Sequence, residues 1–539
     1  MRPRTGIAAF VTVVGVAGAL AATAGTGAQA STAGPGQAAA QGARLIPGDL
    51  LVSTSDYVND PNIVAGTTVL PPGSGSAGAV AIAGGTYPQV FNDVTVDPAF
   101  GVTSPISLQE ITTDGRPVGS IAVPPSDLVT SFSSKSEGAL NLSPNGQNVS
   151  FVGYVAKPDT VDVSNANTPG DIDSTNPVTG AYYRAVAQLS TNGKFQFTET
   201  NAYSGDNGRA AITADVKGKE YIYSTGNAGN GSNPQPGGVV LGTGAQIIIP
   251  STQPESAQKP GQPTPVGSFS VTKLGDAVDK VGKDDNFRGL ALYNNVLYYT
   301  KGSGSNGVDT VYFLDTTGKA CPSGAGVPAA NAPLPTASIA ATLTSSGLAS
   351  NMCILAGFPT ALAKSATDSS DYPFGLWFAN PTTLYVADEG AGDATYANGS
   401  YTAAAASTTA GLQKWVYSKT AGKWQLAYTL QGGLDLGTPY TVKGYPTGTN
   451  SVTNLPWAPA TDGLRNITGK VNPNGTVTIW AVTSTVSGGG DQGADPNQLV
   501  AVTDKVGATT LPSSEKFSSV VAPRDDQVVR GVSFTPGTR

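Results

Sequence analysis

Histidine is absent from all 539 residues. That excludes a Ser-His-Asp or Cys-His nucleophile system, His-ligated zinc or copper, and any imidazole proton shuttle. Two cysteines are too few for a four-cysteine zinc site or a cubane iron–sulfur cluster. Charge is scarce too, at 12% of residues against about 25% in ordinary soluble domains. Polar chemistry must come from carboxylates, Arg, Lys, Tyr, hydroxyls and the backbone, and these types require no cofactor.

Glycine and proline are plentiful instead, 68 and 39 residues, mixed with Thr, Ser, Val and Ala. This is the balance of a turn-rich, all-β extracellular protein. The hydrophobic share of 39% is ample for a large core over such a length.

Residues 1–30 have the layout of a secretory signal. Arg2 and Arg4 form a basic start, an apolar run extends from Ile7 to about Ala22, and Ala28-Gln29-Ala30 supplies a cleavage site. The run is too short and too diluted by Gly and Thr for a membrane anchor, and no later segment could span a bilayer. We therefore expect a secreted, monomeric protein with a flexible linker at 31–44 and one folded domain at 45–539. Loss of residues 1–30 would remove two arginines and no acid, moving the net charge from −7 to −9. An acidic chain is a poor match for nucleic acid. Cys321 and Cys353 are an even pair in an exported chain, so a disulfide is expected.

A unit recurs along the domain: a polar or acidic tripeptide, a usually charged residue, a small residue, an alternating strand, a turn and an aromatic-rich strand. Copies begin at Ser134, Asp206, Asp285, Asp371 and Asp462. Period-two alternation and β-branched residues favour strands. Asn145-Gly146, Asn192-Gly193, Asn306-Gly307 and Asn474-Gly475 read as two-residue hairpin turns. Further strands follow in most copies, such as Thr310 to Leu314 and Ala337 to Leu343. Four antiparallel strands repeated radially make a β-propeller.

The chain ends complete the count. Val529 to Phe534 reads as a first strand with nothing after it, and Asp49 to Thr54 as a second strand with no first. Ile106 to Thr112 and Val118 to Val123 supply the third and fourth. The expectation is a six-bladed β-propeller with velcro closure of its N- and C-terminal strands. Blades of about 45 residues leave a large surplus, assigned to loop insertions at 58–103, 157–180, 229–265, 317–335, 391–409 and 431–460.

Several segments resemble an uncharacterised family of exported bacterial six-bladed propeller proteins. They are Ser136 to Gly146, Ala202 to Arg209, Tyr372 to Gly375, Leu384 to Gly390 and Gly411 to Trp415. The resemblance covers most of 45–539 and implies a fold and an exported habit, with no catalytic residue to carry over. A looser likeness is to phytase-like esterase propellers, without their dense run of metal-binding acids.

Aligning the blades brings Glu137, Arg209, Arg288, Phe374, Arg465 and Arg530 into one register at the start of the first strand. Three positions earlier stand Ser134, Asp206, Asp285, Asp371, Asp462 and Gln527. First strands line the central channel, so the ring would gather guanidiniums around the axis. It could bind a small anionic molecule or an extracellular glycan, since forked donors match carboxylate and phosphate. The alternative is a belt of Asp–Arg pairs between blades with no ligand role. A hydrolase of glycan or phosphoester would rest on Glu137 with Asp206 or Asp462, because two carboxylates suffice for glycoside hydrolysis. Asp388, Glu389 and Asp393 form an acid-Gly loop that could hold calcium or be a solvated turn, as could Asp491 to Asp495. Trp377, Trp415, Trp424 and Trp480 are expected in the core. Trp457, flanked by proline beside the loop tyrosines, is expected as an exposed contact.

Overall fold

The computed structural model describes residues 44–57, 63–70, 79–81, 101–131, 136–174, 176–228, 242–252, 286–304, 306–321, 324–336, 352–365, 371–451, 453–489 and 492–539. The expected signal and nearly all of the linker lie outside these residues, as do Ser134, Asp285, Asp491 and the strand expected at Ala337 to Leu343. The described chain is nearly all β and builds six small sheets arranged as a six-bladed propeller. None of its helices is long and apolar enough to cross a membrane.

Blade 1 is the closure. Gln527–Phe534 is its first strand and pairs antiparallel with Leu50–Asp56, from Leu50 opposite Phe534 to Asp56 opposite Gln527. Ile106–Ile111 and Pro117–Ala122 complete the sheet. Blade 2 runs outward through Asn141–Leu142, Asn148–Tyr154, Arg184–Ser190 and Phe195–Thr200. Blade 3 has Gly208–Val216, Lys219–Gly226 and Gly244–Ile248 among the described residues. Blade 4 has Leu290–Tyr293, Val296–Lys301, Thr310–Leu314 and Met352–Leu355, with Ala325–Gly326 added in parallel outside. Blade 5 has Pro373–Asn380, Thr383–Asp388, Gly411–Ser418 and Lys423–Leu430. Blade 6 has Ala460–Val471, Thr476–Val486, Leu499–Lys505 and Ser518–Val521.

The blades pack face to face through their alternating apolar side chains. Tyr293 stacks on Phe378 at 4.5 Å between blades 4 and 5, and Phe358 stacks on Trp415 at 3.9 Å. Trp480 meets Phe534 edge-on at 5.4 Å, joining blades 6 and 1. Cys321 and Cys353 are disulfide-bonded, Cα atoms 5.8 Å apart, and fasten the start of the 317–335 insertion to blade 4's outer strand.

The turns differ from expectation in an instructive way. At Asn145-Gly146, Asn192-Gly193 and Asn474-Gly475 only the glycine is left-handed. The Asn carboxamide instead accepts from the backbone N–H two residues ahead, as Asn145 does from Gln147 at 3.1 Å. That side-chain bond closes a wider loop, so the second left-handed residue is not needed. Two-residue turns with both positions left-handed occur at Lys217-Gly218 and Asn294-Asn295.

The small residue after each ring position also acquires a cause. A methyl group on Gly289 would collide with the Phe374 carbonyl oxygen of the next blade, and one on Gly375 with that of Arg465. On Gly531 it would stand 2.5 Å from the Gly138 carbonyl oxygen. At Asn466 the side chain instead accepts from the Val532 N–H at 2.7 Å, bridging to blade 1. Gly289→Ala is therefore expected to lower unfolding free energy by about 2–3 kcal/mol, at the upper end of overpacking costs. Gly507→Ala, which meets nothing within 4 Å, should stay within about 0.5 kcal/mol of wild type. Urea denaturation of the two variants measures the difference; equal stabilities would contradict the close approach.

Candidate functional site

Strand direction assigns the connections to two ends of the channel. Turns between first and second, and third and fourth, strands lie at one end. Connections from second to third strand, and from fourth to the next first, lie at the other, where the first strands begin. The insertions at 58–103, 157–180, 391–409 and 431–460 attach at that second end, which is also the end of the ring position, and 317–335 attaches opposite. The 229–265 segment expected as one loop is instead divided by the third strand of blade 3, Gly244–Ile248, so that it joins both ends. The insertions are more than bare loops. Ile63, Leu70, Ala81 and Val102 dock on Val528, and 391–409 carries a small hairpin and the helix Thr402–Ala406.

Beneath them the four ring arginines converge. Arg209, Arg465 and Arg530 are each no more than 5% exposed. Arg288 of blade 4 donates from Nη1 to Ser136 Oγ of blade 2 at 3.2 Å, a contact that reaches across the channel. Burial, and then the charge of Arg209, brings Arg288 down to about 10, with Glu389 acting the other way. Arg465 is lowered chiefly by burial, opposed by Glu389 and reinforced by Arg530 and Arg288. Guanidiniums from four blades therefore share one electrostatic neighbourhood.

Their partners are not a regular belt. Arg209 Nη2 lies 3.7 Å from Asp206 within its own blade. Arg465 Nε donates to Glu389 Oε2 at 3.2 Å, an acid of the preceding blade outside the expected row. Arg530 donates to Ser55 Oγ at 3.0 Å and Tyr57 OH at 2.7 Å. Arg288 is held by the hydroxyls of Ser303 and Ser136. Arg209 Nε and Nη1 are buried with no acceptor among the described residues.

The expected carboxylates are engaged in shaping this end. Glu137 is fully buried and accepts from the Ser131 N–H at 2.8 Å. Asp206 accepts from the Asn207 N–H and from Asn227. Asp371 accepts from Gln413 at 3.1 Å, and Asp462 from the Gly392 N–H at 2.7 Å. The acid-Gly loop disperses its three acids. Asp388 is buried and accepts from the Tyr372 and Gly390 N–H groups, Glu389 turns to Arg465, and exposed Asp393 caps Thr395. Among the described residues no three acids are grouped as metal ligands.

Trp457 departs from expectation. It is 8% exposed and packs edge-on to Tyr445 with Val442, giving the 431–460 insertion a small core of its own. Trp377 is the more accessible one, lining the opposite end of the channel. That end holds a cavity of about 700 Å³ bordered by Leu140, Ile212, Tyr293, Trp377, Ile467 and Phe534, with the polar Asn141, Thr468, Lys470 and Arg539 also on its wall.

Other polar residues of the ring's end had no place in the sequence reading, or in the case of Glu389 a different one. Tyr57, Asn227, Lys301 and Glu389 all stand at the end of a second strand or just beyond it, and Lys301 pairs with Asp309 at 2.7 Å. Aligning second-strand ends as well as first-strand starts would have exposed that second tier. Arg184 is buried under it, donating to the carbonyls of Tyr182, Ser164, Ala166 and Asp206 at 2.7–3.0 Å while lying over the Tyr154 ring. It anchors the 157–180 insertion.

No family model and no curated protein matches the chain. Asp388 yields a direct test. Burial is the main cause that pushes its carboxyl up to about 8, against two backbone hydrogen bonds. The folded state thus keeps a proton that the unfolded chain releases near pH 4, so this stability is lost as pH rises from about 4 towards 8. In urea titrations the stability of Asp388→Asn relative to wild type should improve between pH 5 and pH 8. A pH-independent difference would refute the assignment.

Proposed function

We propose that this protein is an exported binding protein that takes a small anion, carboxylate- or phosphate-bearing, among Arg209, Arg288, Arg465 and Arg530. A propeller is compatible with a binding or interaction role. The observation that carries the anion is Arg209, buried with two guanidinium nitrogens, Nε and Nη1, that meet no acceptor among the described residues. An unsatisfied buried donor costs about 1–3 kcal/mol, and more when charged. A ligand oxygen in the guanidinium plane beside either nitrogen would satisfy it, and Arg288, held among the described residues by the hydroxyls of Ser303 and Ser136, could turn a donor to the same ligand.

Size and chemistry narrow the class. Arg209, Arg465 and Arg530 are buried, which suits a small dicarboxylate, sulfate, phosphate or acidic sugar. Burial of Trp457 and Tyr445 takes away the aromatic platform on which a neutral glycan would stack. A hydrolase built on Glu137 with Asp206 or Asp462 gains nothing from the geometry, since each carboxylate is engaged with backbone or Arg.

A thermal-shift series with citrate, sulfate, phosphate, glucuronate and neutral hexoses tests the reading. An anion at one hundred times its dissociation constant adds about 2.7 kcal/mol. That shift should vanish in Arg209→Gln. Stabilisation by neutral hexoses alone, or an anion shift that survives in Arg209→Gln, would overturn the proposal.

A further inference from the structure

A second polar cluster lies far out in the wall between blades 5 and 6. Lys414, on the third strand of blade 5, and Asp504, on the third strand of blade 6, are both completely buried, with Nζ 2.8 Å from Oδ2. The Lys414 ammonium also donates to the Lys505 carbonyl at 2.6 Å and to Tyr428 OH at 3.0 Å. Tyr385 and Tyr428 donate their hydroxyls to the two Asp504 oxygens. The tyrosine rings flank the amine, 5.8 and 5.1 Å from Nζ to their centroids.

Glu515, in the connection before Ser518–Val521, accepts from the Lys505 N–H at 3.2 Å, which seats its carboxyl beside Asp504. Two carboxyl groups held that close favour one of them keeping its proton. Burial, then the neighbouring Asp504, raises Glu515 to about 7, so it is the proton holder. A buried ion pair needs no third carboxyl, and an added like charge would weaken it. Amide formation does need one, to move a proton between amine and departing oxygen.

We propose that Lys414 and Asp504 are joined by an isopeptide bond formed within the folded chain, with Glu515 as the proton carrier. The Lys414 ammonium gives a proton to the carboxyl pair and its neutral Nζ attacks Asp504 Cγ. The Tyr385 and Tyr428 hydroxyls stabilise the oxygens of the tetrahedral intermediate as charge develops. Glu515 delivers a proton to the departing hydroxyl and recovers one from the nitrogen. An N–C bond forms, a C–O bond breaks and one water leaves; no oxidant or co-reactant is consumed. Contact geometry replaces a bimolecular encounter, and the product removes two buried charges in a site that excludes bulk water.

Mass spectrometry of the purified full chain, unfolded and reduced, decides the matter against the mass set by its determined N-terminus. The expected mass is lower than that of the sequence by one water, with a branched tryptic peptide joining the Lys414 and Asp504 segments. Lys414→Arg, which keeps the charge but cannot form this amide, should show the full mass. Glu515→Gln should lose the cross-link or form it at least tenfold more slowly. Full mass in the wild type, with Lys414 recovered only in linear peptides, overturns the proposal. So does a water loss that persists in Lys414→Arg.

Discussion

Backbone-to-backbone contact between neighbouring first strands is the constraint on which the ring depends. Where Gly289 meets Phe374, Gly375 meets Arg465 and Gly531 meets Gly138, no side chain separates the strands. Such contact draws six strand starts close to one axis. It also forces the residue just before each small one into a shared space. Arginine is the commonest occupant, and its long stem lets a guanidinium reach past the crowded backbone. The convergence of charge is therefore a geometric consequence of the tight inner packing, made chemically specific by the choice of Arg.

The channel has chemically opposite ends. One holds buried guanidiniums, hydroxyls and carboxyls; the other is mostly apolar, bordered by Trp377, Tyr293 and Phe534, with Lys470 and Arg539 also on it. Burial at the charged end strengthens each electrostatic interaction there and makes each unmatched donor costly. Elsewhere the structure resolves buried charge by pairing, as with Lys301 and Asp309 or Lys414 and Asp504. At Arg209 the pairing is partial, since Asp206 lies 3.7 Å from Nη2 while Nε and Nη1 meet no acceptor among the described residues, and that contrast within one molecule gives the anion reading its force.

Much of the fold was legible because period-two alternation and the repeat are local signals. The closure of Val529 to Phe534 on Leu50–Asp56 followed from counting strands, and the ring register from aligning the blades. What escaped depended on contacts between distant segments. Glu389 looked like a calcium ligand beside Asp388 and Asp393, yet its partner is Arg465, 76 residues away. Trp457 looked exposed because prolines flank it, but the insertion folds on itself and buries the ring. Asn-Gly pairs looked like two-residue turns because composition does not show which way the Asn carboxamide points. Lys414, Asp504 and Glu515 were invisible for the same reason: no spacing rule unites three residues on two blades.

Blade 1 has a bearing on the order of events during folding. Its second, third and fourth strands precede those of every other blade in the sequence, while its first strand, Gln527–Phe534, follows them all. Until that strand arrives, the inner edge of Leu50–Asp56 has unpaired backbone donors and acceptors, open to pairing with another chain. The contact that closes the ring spans nearly the whole length of the domain, so its loop-closure entropy comes due at the end rather than along the way. The native state is thereby made all-or-none in time: five blades can assemble as they emerge, but the ring they belong to exists only once Gln527–Phe534 has been made.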